Sequence, residues 1–100
     1  MTTVRSLGDL KGEPHANVFP ESEPKTIRLT LGEGDRVDPH QHPGRDIVLH
    51  LLKGAIELDL DEETHELTGG DVVQFEGEQE VSPYAVEDSV ALIVLAPRAE

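Results

Sequence analysis

Gly34 to Gly54 reads GDRVDPHQHPGRDIVLHLLKG, with two histidines one residue apart just ahead of an apolar run of strand length. In an extended backbone residues i and i+2 project to the same face, so the imidazoles of His40 and His42 converge while Gln41 points away. Pro39 holds Asp38 extended, and Pro43 does the same to His42. A segment stiffened in this way loses less conformational freedom when it closes on a ligand. Two converging imidazoles suit a divalent cation, and the plainer alternative is a solvated pair in a loop.

Working outward, Asp46 to Leu52 (DIVLHLL) has only Asp46 and His50 as polar members and reads as a strand buried on both faces. Lys53-Gly54 reads as a hairpin turn. Ala55 to Asp61 then alternates, with Ile56, Leu58 and Leu60 on one face and Glu57, Asp59 and Asp61 on the other. Asp61 to Glu63 turns the chain, Thr64 to Leu67 returns, Gly69-Gly70 turns it again, and Val72 to Phe75 follows as a strand. Beyond the acidic turn Glu76 to Glu80 come Val81 to Val86, interrupted by Pro83, and a final strand Ser89 to Ala96 ended by Pro97.

Upstream, Lys25 to Leu31 alternates cleanly, placing Ile27, Leu29 and Leu31 together, and GEGD at 32–35 is turn chemistry. His15 to Phe19 reads as a brief strand stopped by Pro20, and residues 1–14 as an extended lead-in or one short edge strand. Apolar residues nowhere recur at helical spacing over a long window. Eight or nine short strands with frequent turns mean an all-β sandwich or barrel. The 100 residues suit one domain over 1–100, with a lead-in at 1–24 and the barrel at 25–96.

Charge narrows the partners. Twenty-one acids against eight bases give a net charge of -13, a field that repels phosphate backbones and anionic membranes. Neither nucleic acid nor a membrane is expected. Phe19, Phe75 and Tyr84 are the only aromatics, too few for a stacking platform. The acids are spread along the chain, which fits an ordinary acidic surface or a halophile's cytoplasm, where concentrated salt screens self-repulsion. With no cysteine, disulfides and thiolate ligands drop out together. No signal-peptide core or membrane-length apolar run occurs, so a cytoplasmic location is expected.

The residues resemble the cupin superfamily, small jelly-roll β-barrels with a metal site inside. Its first motif runs Gly, five residues, His-x-His, three or four residues, Glu, six residues, Gly; Gly34, DRVDP, His40-Gln41-His42 and Gly54 match it. GGDVVQF from Gly69 corresponds to the strand that enters the second motif. The resemblance implies a divalent metal (Fe, Mn, Ni or Zn) on His40 and His42. The family's glutamate falls on Asp46 counted forward from His42, but on Ile47 counted back from Gly54. Strand parity makes these exclusive, although a bulge near Gly44 would turn Asp46 inward. Asp46 is therefore the third candidate ligand. The family's third histidine falls on Val81, and its Pro-x-Gly turn reads Glu76-Gly77-Glu78.

Two imidazoles and a carboxylate with open positions suit metal-assisted oxygenation or isomerisation of a small polar molecule. The alternative, favoured by Val81, is a non-catalytic small-molecule binding or sensing module; a third is a stability-only scaffold or oligomerisation unit. His50 reads as a packed histidine, His15 and His65 as surface residues, and Gln74 and Tyr84 as candidate polar groups of the pocket. Cupins commonly pair through their sheets, so a homodimer is implied.

Overall fold

A computed structural model of the chain describes residues 2–98. Eight strands are present among the described residues: β1 (His15–Asn17), β2 (Lys25–Leu31), β3 (Arg45–Lys53), β4 (Ala55–Leu60), β5 (Glu63–Thr68), β6 (Val72–Glu76), β7 (Val81–Ala85) and β8 (Ser89–Pro97). They form a five-stranded antiparallel sheet, ordered β1-β2-β8-β3-β6, facing a three-stranded one, ordered β5-β4-β7. This is the all-β jelly-roll arrangement expected from the strand spacing, preceded by one 3-10 turn at Leu7–Asp9. No helix of the described residues is long and apolar enough to cross a membrane.

The core lies between the sheets and follows the alternation of the sequence. Ile27, Leu29 and Leu31 of β2, Ile47, Leu49 and Leu51 of β3, and Ala91 and Leu95 of β8 face Ile56, Leu58 and Leu60 of β4. Val48 and His50 of β3 lie on the outer face of the larger sheet and are only half-buried, so that strand is not enclosed on both sides as its composition suggests. This register is strongly held. A one-residue slip of β3 would exchange Ile47, Leu49 and Leu51 for Asp46, Val48 and His50, forfeiting roughly 5–9 kcal/mol of side-chain burial. That is comparable with the whole stability of about 5–15 kcal/mol usual for a domain of this size.

Lys53-Gly54 is not a hairpin turn, because β3 and β4 belong to different sheets and the chain crosses between them there. Gly54 has φ +96°, and a Cβ would collide with the Ser89 hydroxyl and the Asp88 carbonyl. The close approach of two chain segments thus demands glycine. Pro83 sits within β7, an edge strand of the smaller sheet, where a missing N–H breaks no sheet.

The lead-in is part of the fold. β1 pairs with β2 in the register His15↔Leu29 and Asn17↔Ile27, which sets His15 and Asn17 on the same sheet face as Leu29 and Ile27, where both stay exposed at the rim of the barrel. On the opposite face of β2, the buried Arg28 guanidinium donates to the carbonyls of Leu7, Leu10 and Gly12 and so ties residues 7–12 across the sheet. Its Nε is buried without a partner among the described residues.

Candidate functional site

The histidine segment forms no regular strand, yet its backbone is fixed on both sides. His40 and Val81 exchange N–H···O bonds of 3.1 and 2.8 Å, which lays the segment along β7. The His42 N–H donates to the Gly77 carbonyl at 2.7 Å, and the Gly77 N–H donates to the Arg45 carbonyl at 2.8 Å. A Cβ on Gly77 would collide with the His42 carbonyl, so the glycine between Glu76 and Glu78 is what lets the turn lie against the histidines. The Gln41 side chain points away, as its position between the histidines predicts, and donates to the Glu78 carbonyl at 2.8 Å. The Glu78 carboxylate accepts the Gly44 N–H at 2.9 Å and pairs with Arg98. The Arg98 guanidinium holds that carboxyl down to about 2, so this tether stays charged through most of the acid range.

The His40 and His42 rings meet edge to face, with centroids 4.8 Å apart. His40 Nδ1 lies 2.8 Å from the Asp38 carbonyl, which can only accept, so Nδ1 carries the proton. Its Nε2 lone pair is thereby left free. Both rings line a narrow cavity of about 50 Å³, whose walls are otherwise mostly hydrocarbon from Ile27, Leu29, Ile47, Leu49, Phe75 and Leu95. Beside the cavity lies a cleft of about 570 Å³ walled by His15, Asn17, Lys25, Val37, Asp38, Pro39 and the two histidines. His15, Ile27, His40 and His42 border both spaces.

His15 is exposed, as its sequence reading has it, yet it borders both spaces, so three of the five histidines meet at one mouth. Burial holds His15 below the ordinary histidine range, with the charges of His40 and Lys25 pushing the same way. Burial likewise lowers His42, reinforced by His40, Lys25, His15 and Arg45. Lys25 is the other site residue not anticipated. Its signal was its phase, since it stands on the same alternating face of β2 as Ile27 and Leu29. The facing of His15 depends on pairing between β1 and β2, for which no local pattern exists.

Asp46 is not brought to this site. It lies on the outer face, opposite Glu76 and Ala96, and its carboxylate accepts from Arg98 Nε at 3.1 Å. No bulge near Gly44 turns it inward. Ile47, 1 % exposed, takes the inward position instead, and buried Val81 lines the cavity where the family's third histidine is expected. Gln74 lies exposed on the outer sheet face, and Tyr84 packs under the Arg36 guanidinium, 5.1 Å from the ring centre. Neither borders the cavity. His50 stands outside on β3, and His65 is exposed on β5.

As a metal site, these residues fall short. His40 and His42 supply two nitrogen donors, and hydrocarbon from Ile47 and Val81 occupies the positions of the remaining ligands. Among the described residues no group of three or more histidine, aspartate or glutamate side chains is placed to hold one metal ion.

Solved structures resemble the whole chain. TT1209 of Thermus thermophilus is 25% identical with a TM-score of 0.79, covering 96% of this chain and 98% of its own. An RmlC-like cupin protein of Desulfovibrio desulfuricans is 21% identical with a TM-score of 0.79, covering 99% of each chain. KdgF of Halomonas sp. is 23% identical with a TM-score of 0.72, covering 88% of this chain and 84% of its own. No curated protein matches by sequence. The family model for the cupin domain matches residues 27–96, from the middle of β2 to the end of β8, and the chain belongs to that family.

Proposed function

We propose that this chain is a small-molecule-binding cupin that uses its histidines to recognise an organic ligand directly, without a resident metal and without catalysis. The observation that carries this reading is the inward parity of Ile47. It removes the carboxylate that would complete a metal site with His40 and His42, and the buried core fixes that parity. Val81 removes the other ligand. What is left is an apolar cavity with polar groups only at its mouth, the usual composition of a small-molecule pocket.

The competing reading places a divalent Fe, Mn, Ni or Zn ion on His40 and His42, serving oxygenation or isomerisation. One observation favours it: the Asp38 carbonyl fixes the His40 tautomer with Nε2 free, as a ligand imidazole requires. Elemental analysis of dialysed, untagged protein decides between them, before and after incubation with Fe(II), Mn(II), Ni(II) and Zn(II). The organic-ligand reading expects far less than one metal per chain throughout. Near-stoichiometric metal that disappears in H40A/H42A overturns it.

For assembly, we propose a second copy of this chain as the partner of the larger sheet's outer face. Val48, Leu92 and Val94 form a contiguous apolar row there, extended by Val72, 60% exposed, and Leu52, 38% exposed. An uncovered apolar surface of this kind favours association.

A further inference from the structure

The cleft at the barrel mouth runs against the charge of the rest of the molecule. Acids outnumber bases 21 to 8 along the chain, yet Asp38 is the only acid in a wall that also holds Lys25, His15, His40 and His42. Arg36, Arg45 and Arg98 each pair with a carboxylate, whereas Lys25 forms no ion pair among the described residues. The imidazoles of His15 and His42 make no hydrogen bond there either, so each is free to turn an N–H into the cleft. Three uncommitted donors, one of them a fixed positive charge, surround one opening.

Behind them the chemistry changes within one side-chain length. The cavity is bounded by Ile27, Leu29, Ile47, Leu49 and Phe75. A water-sized group needs roughly 10–15 Å³ on the same measure, so about 50 Å³ admits about three or four carbons and no sugar ring. A second charge at that depth would be desolvated with nothing to pair it.

We propose that the cleft and cavity together receive a small aliphatic monocarboxylic acid, its carboxylate among Lys25, His15 and His42 and its hydrocarbon end against Ile47 and Leu49. The assignment rests on the organic-ligand reading above and names the ligand class for it. Lys25 supplies charge, the imidazoles supply direction, and the apolar floor rejects dicarboxylates. Discrimination arises from the unpaired donors, because a neutral head group leaves the Lys25 ammonium without a counter-charge.

The test is an NMR titration of the isotope-labelled full chain, metal-free, with butyrate, butyramide, succinate and inorganic phosphate. Butyrate is expected to shift residues 15, 25, 40 and 42, and butyramide and succinate to bind at least about tenfold more weakly. K25M keeps the stem and removes the charge, and should weaken butyrate by about tenfold while leaving butyramide unchanged. H15Q, a second variant outside the core, should weaken butyrate as well. Butyramide equal to butyrate, phosphate tighter than butyrate, or K25M without effect overturns the assignment while the organic-ligand reading stands. Butyrate that binds only after stoichiometric loading with Zn(II) or Ni(II) overturns both. No shift with butyrate at any concentration overturns the assignment alone.

Discussion

Replacing Ile47 with glutamate puts a carboxyl where the strand register holds a buried methyl group beside His40 and His42. Ile47 is 1 % exposed, so the substitution loses about 1.5–3 kcal/mol of burial. A neutral carboxyl left imperfectly bonded in that site costs about 1–3 kcal/mol more. The I47E protein should therefore be roughly 3–6 kcal/mol less stable, a fall in Tm of at least about 12 °C for a chain of this length. The same group completes a two-histidine, one-carboxylate face, so the variant should gain what the native chain lacks. A metal at 100 to 1,000 times its Kd returns about 2.7–4.1 kcal/mol, so Ni(II) or Zn(II) should raise the Tm of I47E by at least about 10 °C. The assay is thermal unfolding by circular dichroism with chelator or with added metal. Two controls frame it: the native chain should be indifferent to metal, and D46N should change stability by less than about 1 kcal/mol because its ion pair with Arg98 is partly exposed. An I47E protein as stable as the native one, or a native protein that melts higher with metal, would refute the reasoning.

Because His15 and His42 have folded pKa values below the unfolded value, the unfolded state binds more protons in the window beneath about 6.5. Stability should be complete above that pH and fall below it; urea midpoints at pH 7.5 and 5.5 should show a smaller loss in H15Q/H42Q than in the native chain. G77A, which drives a methyl into the His42 carbonyl, should cost about 2–4 kcal/mol by denaturant unfolding and broaden the His40 and His42 ring resonances, whereas G8A, in open space, should cost under about 1 kcal/mol. With a net charge of -13, multimolar KCl should raise the urea midpoint, and equal stability in low and high salt would remove the halophilic reading of the acidity. Sedimentation should show a dimer that L92E or V72E turns into monomer; a native monomer at all concentrations would end the proposed pairing.

The barrel was legible because its strands alternate. Ile27, Leu29 and Leu31, and again Ile56, Leu58 and Leu60, announce their inward faces residue by residue, and the structure buries all six. The HxH spacing likewise placed His40 and His42 at one mouth with Gln41 turned out. Counting could not fix Asp46 against Ile47, because two anchors, His42 and Gly54, give opposite parities and only packing against the opposite sheet chooses. Gly54 misleads for a related reason, since a tight turn within one sheet and a crossing between sheets both call for glycine. Lys25 was legible in the alternation of β2, whereas His15 reaches the site through strand pairing across 14 residues, β1 to β2, which leaves no mark on local sequence.

One wall of the cleft is held differently from the others. His40 and His42 are laced into the barrel by backbone bonds to β7 and the turn before it, but His15 belongs to a three-residue strand at the sheet edge. That strand and its continuation add only Ala16 and Val18 to the buried apolar set, and the segment before it is held by the Arg28 guanidinium, whose Nε is unbonded, and by the Thr30 N–H, which donates to the Pro14 carbonyl at 2.8 Å. Detaching this stretch sacrifices a small share of the core, so its opening free energy lies well below that of global unfolding. Were this edge to open, the cleft would lose His15 from its wall, and the apparent affinity for the proposed ligand would scale with the fraction in which His15 is in place. Binding of the proposed ligand would then be thermodynamically linked to the N-terminal edge. Amide exchange at Ala16 should slow when the cleft fills, and weakening the Arg28 clamp should loosen binding without any change in the residues that touch the ligand.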